Sequence, residues 1–451
     1  MKLLSFARPV TSMSARLVLA CAVMVASPLS LYAATWPSLG CAGTLQACID
    51  AAAVGEVVEV ATDGPINESP QINDKSLTLR AAPGFVPVFA SPNSIIVVGG
   101  DVSATNVVEG MTIANGRLMG IQGGSGTFDV TFRSNVILDT FSYGTAIEIY
   151  SGNAQPPYGP VHFDVSGNQI TVNGFDVGDQ VGAISVGGFE SDATGRVVGN
   201  VIVQTGVSTQ NAVIQAANGV HALSVDVLDN DISGQGFNNG ISIYQFAPGG
   251  SLTARVINNL LRGGQIDVAG QPGGIGLNVS QGSGAFTVVN NTITNGARGI
   301  MVNGRSDLGA TITGILANNI VSGHSGTGIS IDPDFEATFT NDHNLVFDNG
   351  SEYFSAGPGT LYTNPQFIGP NDFHLQVISP AKDTGNSAQV PVDITGDLDG
   401  LARIKGPAVD MGAYENATAS ITQVPTLSSF GLILLALSLG ATALALNRRR
   451  Q

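Results

Sequence analysis

Short runs in which apolar and polar residues alternate recur through the middle of the chain, as in Ile241-Ser242-Ile243 and Phe286-Thr287-Val288. Alternation at period two predicts strands with one buried face. Glycine and asparagine separate the runs, and both tolerate the left-handed backbone of sharp corners. Two motifs give the pattern a period. Asn-x-[Ile/Leu/Val] recurs at Asn135, Asn168, Asn200, Asn230, Asn259, Asn291, Asn318 and Asn344, with spacings of 33, 32, 30, 29, 32, 27 and 26 residues. [Gly/Ala]-Ile-x-[Ile/Leu/Val] places Ile147, Ile184, Ile241, Ile275, Ile300 and Ile329, each 15 to 21 residues before the next repeat asparagine. One unit cannot bury its own inner face, so successive units must stack into a solenoid. The expected fold is all-β, a parallel β-helix whose turns lie about 4.8 Å apart. The repeat asparagines should form a column at one corner, their amides bonding along the stack.

A cap precedes the repeats. Leu45, Cys48, Ile49 and Ala52 make one apolar stripe at helical spacing, with Thr44 as the N-cap. Val57-Val58-Glu59-Val60 and Ser76-Leu77-Thr78-Leu79 then read as the first strands. This stretch, Leu45 to Val86, resembles the entry of the pectin-lyase-like right-handed β-helices, and the handedness is implied by that resemblance. About ten turns are expected, a rod near 48 Å long.

Both ends of the chain speak of export. Lys2, Arg8 and Arg16 precede an apolar stretch from Leu17 to Ala34, so residues 1–34 read as a signal peptide cut after Ala33 or Ala34. At the other end, Phe430 to Leu446 is 17 residues without a charge, at the lower limit for a transmembrane helix, and Arg448, Arg449 and Arg450 follow it. A plain tail anchor would show the same run. The residues before it are more specific: Pro425, Thr426, Leu427 and Gly431 match the Ile-Pro-Thr-Leu…Trp-Gly sorting signal read by exosortase-type transpeptidases, with Val424 for Ile and Phe430 for Trp. The resemblance implies a Gram-negative cell surface, a sorting transpeptidase as partner, and an inner-membrane stage before processing.

Composition narrows the partners. Without the leader and the arginine tail, 12 of the 18 basic residues remain against all 34 acidic ones, a balance of about −22. Such a surface excludes nucleic acid and anionic polysaccharide as charge-driven ligands. Fifty-eight glycines and a low charged fraction suit tight turns rather than amphipathic helices. Cys41 and Cys48, the two cysteines of the exported part, predict one disulfide.

The β-helix is assigned to residues 35–355, and the composition of 356–418 shifts toward proline and aspartate. Asn364-Pro365-Gln366-Phe367, Asp372-Phe373-His374-Leu375, Ser379-Pro380-Ala381, Asp397-Leu398-Asp399-Gly400 with Arg403, and Val409 to Glu415 resemble the choice-of-anchor Q domain. That resemblance implies a C-terminal extension of the β-helix with no single established activity. Residues 419–451 hold the sorting signal. Asp393, Asp397 and Asp399, followed by Gly400, invite comparison with a calcium loop, although the closing bidentate glutamate is missing. The alternative is structural, with the aspartates capping turns and pairing with Arg403. No other cofactor is indicated.

Catalytic machinery is hard to find in the sequence. Pectin hydrolases, which share the suspected fold, need two or three converging carboxylates, and their pattern includes a paired Asp-Asp that this chain lacks. Gly323-His324-Ser325-Gly326 only approximates their histidine motif. A lyase would need a base beside calcium-holding acids, and the nearest grouping is Arg298, Arg305 and Asp307 with Asp332 and Asp334. The isoleucine motif suggests a binding surface instead. Glu148, Tyr150, Tyr244 and Asp332, with Ser242 between strands and Phe189, Glu190 and Phe246 nearby, are expected on one outward face able to stack and hydrogen-bond a sugar chain. The sequence thus favours a surface-anchored, adhesin-like or structural β-helix without recognisable catalysis, with a polysaccharide lyase or glycoside hydrolase as the alternative.

Overall fold

The computed structural model describes residues 34–416 except 39–40, 42, 91, 139–143, 152–156, 174–180, 206–207, 235–236 and 264–272. The leader, the sorting motif Val424–Leu427 with Phe430 and Gly431, and the 430–446 span therefore lie outside the described residues. Among the described residues no helix is long and apolar enough to cross a membrane.

Alternating strands stack into three parallel sheets of 12, 11 and 11 strands. One rung of the solenoid contributes Ser251–Ile257 to the first sheet, Leu260–Arg262 to the second and Ile275–Val279 to the third. The rungs make a parallel β-helix of about 50 Å, close to the expected length. Inward positions hold aliphatic columns such as Ile147, Ile184, Ile214, Ile241, Ile275, Ile300 and Ile329, which pair in register through the third sheet. Ile214 is the rung that the isoleucine motif skips, because Val213 precedes it where the motif has Gly or Ala.

The asparagine column forms at the corner between the first and second sheets. Each Nδ2, from Asn135 to Asn319, donates to the Oδ1 of the next at 2.9–3.1 Å. The same Oδ1 accepts the preceding asparagine's backbone N–H at 3.0 Å. One member differs from the expected list: Asn319, not Asn318, belongs to the ladder. The residue before every ladder asparagine has positive φ, and Asn318 (φ 56°) fills that corner position instead. Asn-Asn-Ile fits the motif one residue early.

A second ladder runs along the outer face of the first sheet. Glu59–Arg80, Glu109–Arg133, Asp164–Arg196 and Asp226–Arg255 pair acid with base on the next rung at 2.5–2.7 Å. Signs therefore alternate along the rod, and this face carries little net charge despite the acidic chain.

Helix Leu45–Ala51 covers the first rung. Thr44 Oγ1 caps it by accepting from Ala47 N at 3.1 Å, and Leu45, Cys48 and Ile49 are buried. A Cys41–Cys48 disulfide, Cα–Cα 5.1 Å, ties the helix to its entry. Lys75 Nζ donates to the carbonyls of Asp50 (3.3 Å) and Ala52 (3.0 Å) at the helix end, where a cation is favoured.

One inward position breaks the apolar pattern. Asn106 is fully buried between Leu77 and Val130, and neither its Oδ1 nor its Nδ2 has a partner. An unsatisfied buried amide costs about 1–3 kcal/mol. Asn106→Leu is expected to raise the urea midpoint at unchanged slope, and a lowered midpoint would show that the amide is satisfied in solution.

The segment 356–416 does not prolong the solenoid; it folds back along the corner beside the second sheet. Leu375, Ala381 and Met411 pack on Ile320 and Leu345, and Ile394 packs beside Ile257, Val289 and Ala317. Polar bonds pin the block to successive corners. Asn290 Nδ2 reaches Asp410 O (2.9 Å), Asn318 Nδ2 reaches Asn386 O (3.0 Å), and Ala413 N reaches Thr292 Oγ1 (2.9 Å).

Candidate functional site

The outer face of the third sheet holds the residues singled out for binding. In one outward column Tyr150 is followed rung by rung by Gly187, Ala217, Tyr244, Asn278 and Asn303. The two tyrosines thus stand three rungs, about 14 Å, apart. Gly187 and Ala217 leave a shallow trough between them. A parallel column of Glu148, Ser185, Gln215 and Ser242 supplies its polar edge.

Local contacts fix the walls. Tyr244 hydroxyl bonds Ser280 Oγ at 2.9 Å, and its ring meets the exposed Phe246 at 5.9 Å between centroids. Burial, then the charge of Glu148, raises the Tyr150 phenol above its ordinary pKa. Glu148 lies 3.5 Å from Arg117. Phe189 is not on this face: it is buried and stacks on Phe163 at 6.1 Å.

The acids do not converge. Glu190, whose N–H donates to Ser151 Oγ at 3.0 Å, lies five residues along the strand direction from Glu148's neighbour Ser185, roughly 15 Å away. Asp332, whose N–H donates to Val302 O, lies six rungs from Glu148, about 29 Å. Glycoside cleavage needs two carboxyls about 5–9 Å apart, and these three do not supply them. The arginine grouping is also committed, since Arg305 holds Asp307 with two bonds of 2.8 Å and Asp334 accepts from Ser306. His324 sits at the corner leading into the third sheet, buried, with Nε2 3.2 Å from Ile293 O.

The aspartates of the suspected calcium loop face three different partners. Asp393 pairs with Arg255 at 2.7 Å. Asp397, nearly buried, accepts from the backbone N–H groups of Asp399, Leu401 and Glu415. Asp399 bonds His374 Nε2 at 2.8 Å. Among the described residues no group of three or more His, Cys, Asp and Glu is placed to hold a metal ion. Arg403 pairs with none of these aspartates. It is buried against Glu415 (2.8 Å) and also donates to Asn258 Oδ1 and Gly412 O (both 3.1 Å). Burial is the main reason that Glu415 is raised to about 7.

Three sequence motifs of the C-terminal block meet at His374. Its ring lies between Asp372 (2.5 Å) and Asp399 (2.8 Å) and stacks on Tyr414 at 4.0 Å, with Asp231 and Arg262 of the solenoid beyond. Burial opposes the imidazolium, yet the bonds to Asp399 and Asp372 outweigh it and hold the ring above its ordinary 6.5. A raised folded pKa stabilises fully below the unfolded value and is lost as pH rises through the folded one. Glu415, also raised, acts in the same direction between its ordinary 4.5 and about 7. The block should therefore loosen as pH climbs from 6 to 9, read as faster hydrogen exchange around Phe373–Leu375. His374→Gln should flatten that dependence; an equally steep profile in the variant would assign it elsewhere.

Comparison with known proteins adds two findings. The IPTL-CTERM motif matches residues 422–450. No curated protein matches the sequence. Among solved structures, pectate lyase Pel9A is similar at 14% identity and TM-score 0.50, covering 85% of this chain and 96% of its own. That likeness concerns the fold alone. The chain is a parallel β-helix that carries an IPTL-CTERM sorting signal, which points to an exported, surface-associated protein.

Proposed function

We propose that this protein is a surface-anchored, non-catalytic rod of a Gram-negative bacterium, which presents the tyrosine trough of its third sheet to a glycan or another cell-surface ligand. The observation that carries this reading is the dispersal of Glu148, Glu190 and Asp332 along a face whose aromatic residues lie on either side of a smooth floor. Stacking and hydrogen bonding need only such a surface, whereas hydrolysis needs acids within reach of one bond. The reading of 356–418 as a choice-of-anchor Q block rests on its sequence motifs.

The test is a screen of the purified protein against neutral and acidic polysaccharides, with and without calcium, scoring retention and product release together. Retention without products, reduced by Tyr150→Ala and Tyr244→Ala, is expected. Release of oligosaccharides would overturn the non-catalytic reading.

Display is tested separately through the tail. Pro425 sits inside the segment that matches the sorting motif. Pro425→Ala is expected to leave full-length chain in the inner membrane, seen by fractionation and immunoblotting. Normal surface display of this variant would sink the exosortase reading.

A further inference from the structure

A groove opens where successive second-sheet strands turn toward the third sheet, near the C-terminal end of the rod. It has a volume of about 640 Å³ and is lined by Asn295, His324 and Asp348 among others. A smaller pocket of about 180 Å³ shares Asn295 and Asp348 with it and continues toward the C-terminal block, where Thr294, Phe347 and Phe367 join the lining. Solenoid and block thus build this place together.

Two of its polar atoms stand out. Thr294 is 2% exposed and its Oγ1 has no partner; His324 is also 2% exposed and its Nδ1 has none. Burial holds the His324 ring at about 4, so it is neutral at physiological pH. With Nε2 donating to Ile293 O, the free Nδ1 is a hydrogen-bond acceptor. Buried polar groups are normally paired, so each orphan calls for a partner. The Asn295 and Asp348 side chains add an amide and a carboxylate at the mouth. Phe347 and Phe367, half-buried, supply apolar ring surface.

Hydroxyl-matching groups of both polarities beside aromatic rings are what a pyranose presents in complement, with its polar edge and its C–H face. Charge narrows the choice. Asp348 and the acidity of the chain oppose a uronate. We infer that this groove is a second binding site, separate from the tyrosine trough, that takes the end of a neutral oligosaccharide.

The test uses the full-length protein in a detergent without sugar headgroups, titrated calorimetrically with cellotetraose, chitotetraose, mannotetraose and tetragalacturonate. Asn295 and Asp348 have φ of 58° and 55°, so glycine removes either side chain without backbone strain. At least one neutral tetrasaccharide should bind, with affinity falling tenfold or more in Asn295→Gly/Asp348→Gly. Binding should stay within twofold in Tyr150→Ala/Tyr244→Ala, which separates this site from the face proposed above. Matched thermal melts confirm that both variants are folded. The inference is overturned if no neutral probe binds or if tetragalacturonate binds as well as the neutral ones. Loss of binding in the tyrosine variant alone would also overturn it, by assigning the ligand to the trough.

Discussion

Asn259→Ala should be among the most damaging single substitutions in the solenoid, lowering stability by about 4 kcal/mol or more. Its Nδ2 donates to Val227 O (2.8 Å), Ile257 O (3.1 Å) and Asn291 Oδ1 (3.0 Å), while its Oδ1 accepts from Asn230 N (3.0 Å) and Asn230 Nδ2 (2.9 Å). Alanine fills none of these roles, and the corner is fully buried, so several donors and acceptors lose their partners at once. At about 1–3 kcal/mol for each unsatisfied group, three such losses already exceed the effect of most point mutations. Asn259→Leu should be no better, because volume is not what the site requires. The damage should also be local, since each rung contacts chiefly its neighbours. Urea unfolding followed by hydrogen exchange should show protection lost first on the rungs of Asn230 and Asn291. Asn303→Ala, which removes only a half-exposed 3.2 Å contact to Asn278, is the control and should cost under about 1 kcal/mol. Similar midpoints for the two variants would mean that the ladder bonds are readily replaced by water.

Arg403→Ala should be comparably severe, but for the C-terminal block. Arg403 and Glu415 each have only 1% of the side chain exposed. Removing the guanidinium strands a buried carboxylate and frees Gly412 O and Asn258 Oδ1. Breaking a buried pair from one side costs about 3–5 kcal/mol. The block should then be cut by protease around residues 384–406 under conditions where the solenoid stays intact. The double variant Arg403→Met/Glu415→Leu should recover much of the loss, because it removes the desolvated charges together. If Arg403→Ala resists protease like the parent, the block is held by its apolar contacts with Ile320 and Leu345 instead.

Sequence alone revealed the parts of this architecture that repeat. The ladder asparagines, the inward isoleucines and the capping helix all follow from a local rule, visible within a dozen residues. Where the rule was locally ambiguous, the reading slipped. Asn318 and Asn319 both satisfy the spacing, and only the strand register (Thr292 opposite Ile320) separates corner from ladder. Contacts between distant segments were not legible. Arg403 meets Asn258 across 145 residues and Arg255 meets Asp393 across 138, so no periodicity links them. The aspartates near Gly400 looked like ligands because composition shows how many carboxylates are close in sequence, not where they point. The groove near His324 was missed for a related reason: its aromatic wall comes partly from the folded-back block, whose position the repeat does not predict.

The folded-back block also decides how force would enter the rod. The described chain ends at Asn416, which bonds Leu375 O and Asp410 Oδ2 on the flank of the solenoid rather than at its last rung. Tension arriving there is passed to Asn258, Asn290, Asn318 and Asp342, side chains on four separate rungs. The load is then shared in shear across several strands at once. Pulling on the terminal strand Ser351–Tyr353 would peel one row of hydrogen bonds at a time, so a rod gripped by its side should hold against flow that would unravel one gripped by its end.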